Sequence, residues 1–233
     1  MTLLERGIGF VIFEAGDQAA ASVRAWGHTR LFSPRKHLVD PASRRLLETH
    51  GWELPDRERV PTGTELVEKY VAPLAGLEPI ASRLRTGVEV LGVTREGMDR
   101  TRTRARFATP FALRIRTASG EIEDVSAGAV IDASGTYRTP NSLDSGGLQL
   151  LGMTEIADRV TAALPDVLGR DRALFADQHT TVVGAGHSAR RSLTDASPSS
   201  TVSRSSEAAA PATRCSSSAT DTARSSLTPP TSS

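Results

Sequence analysis

At Ala189 the chain changes character, and that break limits what the rest can build. Before it, apolar runs alternate with turn residues; over residues 190–233 Ser, Thr, Ala and Pro dominate, with scattered Arg. A stretch of that composition cannot bury enough apolar surface to offset the entropy lost on ordering it. Residues 190–233 are therefore expected to be a disordered, low-complexity tail. The abruptness of the change is what a reading-frame shift in a GC-rich gene would produce. The 38% hydrophobic content then serves mainly residues 1–189, a normal size for a compact α/β unit.

Within those residues the apolar pattern alternates between strand and helix periods. Residues 3–6 followed by Gly7 read as the last turn of a helix with a glycine stop, so the chain is expected to begin inside a helix. Residues 8–13, almost wholly apolar and rich in β-branched and aromatic side chains, read as a parallel strand covered on both faces. Asp40-Pro41 opens a helix to about Thr49, Asp as cap and Pro in the first turn. Thr64, Leu66, Val67, Tyr70 and Val71 give a helical stripe over residues 62–74. Residues 84–95, 111–117 and 121–125 read as strands, the last two joined around Ala118-Ser119-Gly120. A short buried strand is expected at 129–132, a helix at 154–168 and a final buried strand at 180–183.

Three segments could carry chemistry. In the first, the strand at 180–183 meets Gly184-Ala185-Gly186-His187-Ser188-Ala189, a Gly-x-Gly-x-x-Ala placed where a helix should start. Gly184 permits the tight turn, Gly186 lets the main chain approach a pyrophosphate, and Ala189 allows close helix packing. Main-chain amides and the helix dipole would then favour phosphate charge. The same pattern also suits a plain strand-to-helix turn. In the second, Glu14 ends the strand that begins at Ile8. An acid there takes the ribose hydroxyls of a dinucleotide, about 20 residues after a glycine loop. Counting back puts such a loop before Met1, so the first loop is expected to be missing, and an exposed strand-end carboxylate is the simpler reading of Glu14. In the third, a strand ending in Asp132 runs through Ala133-Ser134-Gly135 to Pro140, a turn able to pass close beside a bound cofactor.

Taken in order, these segments resemble the two-dinucleotide flavoprotein oxidoreductases, in particular flavin-containing monooxygenase-like and pyridine nucleotide-disulfide oxidoreductase-like enzymes. The resemblance implies FAD in a first fold and NADP or NAD in a second. Glu14 would match the ligand of the FAD ribose, Val90 the main-chain contact to adenine, and Asp132 and Gly135 the segment near the flavin, with Ser134 in place of Thr. Gly184, Gly186, Ser188 and Ala189 would match the nicotinamide-nucleotide phosphate loop. Trp26 falls where many relatives place a tryptophan near the cofactor. Residues 175–179 do not match the Phe-x-Gly-x-x-x-His fingerprint of true flavin-containing monooxygenases. Cys215 is the sole cysteine, so the chain offers no CxxC pair for disulfide chemistry.

The expected architecture is thus α/β: a partial Rossmann-like FAD/NAD(P)-binding fold with an antiparallel β-hairpin insertion, then a disordered tail. Residues 1–145 would form the partial FAD-binding domain lacking its first glycine loop, 146–189 the start of an NAD(P)-binding domain, and 190–233 the tail. A formal net charge of +1 supplies no global field for nucleic acid or an anionic membrane. The Arg-rich stretch 95–116 reads as the solvated face of a hairpin. The expected setting is cytoplasmic, with an unspecified small-molecule substrate and neither nucleic acid nor membrane as partner. Two functional readings follow: an oxidoreductase fragment passing hydride from nicotinamide to flavin, or a noncatalytic remnant of one.

Overall fold

The computed structural model describes residues 2–137, 139, 143, 146–148, 150–161, 163–184, 186, 188–189 and the main chain of 201–205. It is a mixed α/β arrangement, with parallel strand pairs and one antiparallel sheet.

Local chemistry sets most element boundaries. Helix α1 (Thr2–Glu5) stops at Gly7, whose φ of +66° suits a residue without Cβ. Its N–H donates to the Leu4 carbonyl at 3.0 Å. Helix α2 (Ala21–Ala25) follows the loop after Glu14. Helix α3 (Pro41–Glu48) is capped by Asp40, whose Oδ2 accepts the Ser43 N–H at 2.8 Å. That bond holds the Asp40 carboxyl below its ordinary value.

The next helical run is continuous but not uniform: α4 (Gly63–Leu66), a π-turn (Val67–Val71) and α5 (Ala72–Gly76). The cause lies in Pro73, which has no N–H to give the carbonyl of Lys69 and whose ring would press on it. The helix widens just before this point, with the Ala72 N–H donating to Val67. The freed Lys69 carbonyl accepts the indole N–H of Trp52 at 2.8 Å. A short helix α6 (Glu78–Ala81) leads into the strands.

Strand β1 (Ile12–Glu14) pairs in parallel with β2 (Leu84–Thr86), placing Phe13 beside Arg85 and Glu14 beside Thr86. At Gly87, φ +67°, the chain leaves that pair and enters an antiparallel sheet of β3 (Glu89–Arg95), β4 (Phe111–Arg116) and β5 (Ile122–Ala127). Strand β4 shows the period-2 pattern of a one-sided sheet. Leu113 and Ile115 are buried with Val88, and Phe13, Phe111, Val125, Ala127 and Val130 pack around them. On the opposite face Arg114 meets Asp124 and Arg116 meets Glu89. Further on come α7 (Arg172–Phe175), β6 (His179–Val183) and β7 (Thr201–Ser205), the last two parallel.

Several sequence expectations change here. Of residues 8–13 only the end is strand, and its faces differ: Phe13 packs into the core while Ile8 and Val11 open onto a cleft. The expected strand at 84–95 is two strands in two sheets, because Gly87 turns the chain between them. Residues 129–132 form no strand; they run along the cleft without a ladder partner, and Ile131 is 76% exposed. The expected helix at 154–168 is reduced to a 3₁₀ turn at Ala157–Arg159. Leu164 there adopts φ +62° before Pro165, which disfavours helical geometry in the residue it follows. Of the expected tail, Thr201–Ser205 pair with β6, and the remainder lies outside the described residues.

The indole–carbonyl bond at the π-turn yields a prediction. Trp52→Phe should cost about 1–2 kcal/mol, because Lys69 loses the donor that Pro73 cannot supply. In a Pro73→Ala background the same change should cost measurably less, since residue 73 regains an N–H. Thermal unfolding of the four proteins in that cycle checks the coupling.

Candidate functional site

An open cleft of about 3420 Å³ runs between β1, the starts of β3 and α2, residues 125–137 and β6. Ordinary ligand pockets hold roughly 300–1,000 Å³, so this is a trough rather than a fitted cavity. Its walls are mainly apolar, including Phe10, Val11, Val23 and Val130.

Strand pairing brings the first two candidate residues together. The Val88 N–H donates to the Glu14 carbonyl at 3.0 Å, and the Gly87 N–H to that of Gly16 at 2.7 Å. Glu14 at the end of β1 therefore stands beside the start of β3, where Val90 lies. Glu14 Oε1 accepts the Gly16 N–H at 2.9 Å, which orients the carboxylate within the turn after β1. Val90 faces Ile115, and the register shifts between Val90 and Gly92, interrupting the regular ladder at that point.

Asp132 and Gly135 also line the same cleft. The Asp132 Oδ1 accepts both the N–H and the hydroxyl of Ser134, at 2.9 and 2.7 Å. Those two bonds, the hydroxyl's foremost, hold its carboxyl below the ordinary value. Gly135 follows with φ +68°, and a Cβ there would meet nothing within 4 Å. Its glycine thus answers a requirement of the turn rather than a close neighbour.

The third candidate segment is placed only partly. β6 leads into Gly184, whose φ is +124° and where an added Cβ would come within 3.8 Å of the Ala189 Cβ; Ser188 and Ala189 are helical. Ser188 and Ala189 border the cleft, whereas Gly184 and Gly186 do not line it. Ala185, His187 and Pro140 lie outside the described residues.

Trp26 borders the cleft as well, and the residues behind it are the part that sequence reading missed. Its ring lies over Gly63, where an added Cβ would sit 2.8 Å from Cζ3 and 3.0 Å from the Gly27 Cα. The Gly63 N–H donates to Thr29 and the Thr64 N–H to Gly27, both at 2.9 Å. Thr62 and Glu65 form a reciprocal capping box at the start of α4. Glu65 also takes Arg59 at 2.6 Å and the buried Arg35 at 3.4 Å. The Thr62 N–H foremost, with the arginines' charge, holds the Glu65 carboxyl below its ordinary 4.5. The Thr62-x-x-Glu65 spacing was the available signal; nothing in the sequence pointed to Arg35 as its distant partner.

Among the described residues no cluster of His, Cys, Asp and Glu could hold a metal ion, and no helix is long and apolar enough to cross a membrane.

Glu65→Ala should destabilise the protein by roughly 2–4 kcal/mol, since it removes a cap and leaves Arg35 buried without its carboxylate. The folded state holds this carboxyl's affinity for protons down, so its contribution is full above pH 4.5 and fades as the pH falls below it. Denaturant titrations of both proteins should therefore differ most near neutral pH and converge in acid.

No protein-family model matches the chain, and no curated protein matches it. Solved structures do. Bacillithiol disulfide reductase Bdr from Bacillus cereus matches with a TM-score of 0.57 at 16% identity, over 87% of this chain and 52% of that one. S-allyl-L-cysteine S-oxygenase from Allium sativum matches with a TM-score of 0.51 at 14% identity, over 91% of this chain and 48% of that one. The chain shares their fold and spans about half the length of each.

Proposed function

We propose that this chain is part of an FAD-dependent, NAD(P)H-using oxidoreductase of monooxygenase-like type, with residues 1–145 contributing to the flavin site and 146–189 beginning the nicotinamide site. The observation that carries this reading is the meeting of Glu14, Val90, Asp132 and Gly135 around one cleft, though they are far apart in sequence. The two structural neighbours, a disulfide reductase and an S-oxygenase, are both redox enzymes by their names, which supports the class.

The residues present fit the adenosine end of such a cofactor. Glu14 keeps an oxygen beyond its bond to Gly16 and would accept from ribose hydroxyls. The interrupted ladder beside Val90 suits a main-chain contact to a flat base. The turn at Asp132–Gly135 would border the flavin, and the apolar walls would pack against its ring. Gly184, Gly186, Ser188 and Ala189 would receive the nicotinamide nucleotide's phosphates at the start of a helix. Once bound, the flavin supplies acceptance of hydride from nicotinamide and its delivery to oxygen or another acceptor. No side chain is nominated as catalytic acid or base, the substrate is a small molecule of unspecified kind, and a cytoplasmic setting belongs to the same reading.

A second reading, a noncatalytic remnant with weak nucleotide binding or none, is favoured by a separate observation. Among the described residues β1 is paired with β2 alone, in a two-stranded sheet.

The visible absorbance of the full chain, after incubation with excess FAD and removal of free ligand, separates the two. On the proposed reading the flavin band is retained, and Glu14→Ala weakens retention about tenfold or more, as expected for loss of charge-assisted hydrogen bonds. A colourless chain with intact circular dichroism would overturn the flavoenzyme reading and leave the remnant.

A further inference from the structure

The hairpin between β3 and β4 ends in a tip that the proposed oxidoreductase site does not use. Arg100, Arg102, Arg104 and Arg106 alternate with Thr and Ala there, followed by Phe107. The tip is a folded series of turns: Arg102 donates its N–H to Asp99, Arg106 to Thr103 and Ala108 to Ala105, at 3.3, 3.2 and 3.1 Å. The Arg95 guanidinium closes its base by donating to the Thr109 carbonyl while stacking on Phe111.

Its charges are treated differently from those on the sheet. Arg114 and Arg116 each meet a carboxylate across the ladder, but among the described residues Arg100, Arg102, Arg104 and Arg106 form no ion pair. The two nearby acids are engaged with uncharged donors, Asp99 with Thr101 and Glu96 with Ser126. Arg106 points back toward main-chain carbonyls of the tip, leaving the other three exposed. Phe107 is 90% exposed and covers no apolar neighbour. It sets one large apolar side chain directly after the run of arginines.

We propose that this tip is a membrane-surface contact, in which Arg100, Arg102 and Arg104 bind lipid phosphates and Phe107 enters the headgroup–acyl boundary. Guanidinium forks match phosphate geometry, and an apolar side chain beside a basic cluster is the pairing that reversible attachment to an anionic bilayer requires. The shape favours a bilayer over a nucleic-acid strand. A strand needs a groove with successive stacking platforms, whereas no residue of 95–110 lines the cleft and the tip carries one aromatic. Such a surface contact needs neither a spanning helix nor a high overall charge; the charge that matters is local.

Flotation of the full chain with vesicles tests it. The chain should float with mixed phosphatidylcholine–phosphatidylglycerol vesicles at low salt and not with phosphatidylcholine alone. Arg102→Gln and Arg104→Gln should each weaken binding about fivefold. Phe107→Ser should abolish the part that survives raised salt, and Phe107→Trp should give a blue-shifted emission with the anionic vesicles that the parent chain lacks. These positions lie outside the strand ladders, and unchanged circular dichroism confirms that each variant is folded. The proposal is overturned if the parent fails to float, if the arginine and Phe107 variants float as well as the parent, or if single-stranded RNA binds to the tip in preference to vesicles.

Discussion

The arrangement depends on the burial of Phe13 against Leu113 and Ile115. A parallel pair as short as β1 and β2 has little stability by itself, because three residues on each strand supply few hydrogen bonds and no enclosed face. Packing Phe13 into the apolar side of β4 ties that pair to the antiparallel sheet. Gly87 makes the junction possible. Its left-handed conformation lets the chain leave one sheet and enter the other within two residues, while its N–H and that of Val88 return to the β1 end. The acid at the end of β1 is held in place as a result, since Glu14 cannot move without breaking the junction that joins the sheets.

Behind Trp26, charge adds to apolar burial in holding the packing. Glu65 serves a helix start and two arginines at once, one of them buried. Removing a charge of that kind leaves others uncompensated, whereas the exposed pairs on β4 are each worth little. The close approach of Gly27 and Gly63 lies in the same region, beneath the Trp26 ring that borders the cleft.

How much of this could be read from the sequence depended on how local the cause was. The cap at Asp40, the glycine stop after α1, the β4–β5 hairpin and the strand entering Gly184 all follow from neighbouring residues, and all are present, though that last strand is not buried as expected. Burial was harder to read. An apolar run such as 129–132 looks like a covered strand, yet whether it is covered depends on distant elements, and here it borders an open trough. The helix expected at 154–168 had apolar spacing in its favour, but Leu164-Pro165 imposed a conformation that spacing does not reveal. The candidate residues Glu14 and Val90 were legible as motif positions; the Gly87 junction that brings them together was not. Arg35 carried no local signal at all, being defined by a partner 30 positions away.

The π-turn ahead of Pro73 affects how the long helical run presents its side chains. A widened turn adds one residue without adding a full turn, and each residue in an α-helix advances the azimuth by about 100°. The apolar stripe before the widening and the residues after it therefore occupy different sectors of one rod. Val67 faces the buried side, while Val71, Leu74 and Ala75 look onto the cleft. One proline thus shifts the sector that the later residues of the run occupy.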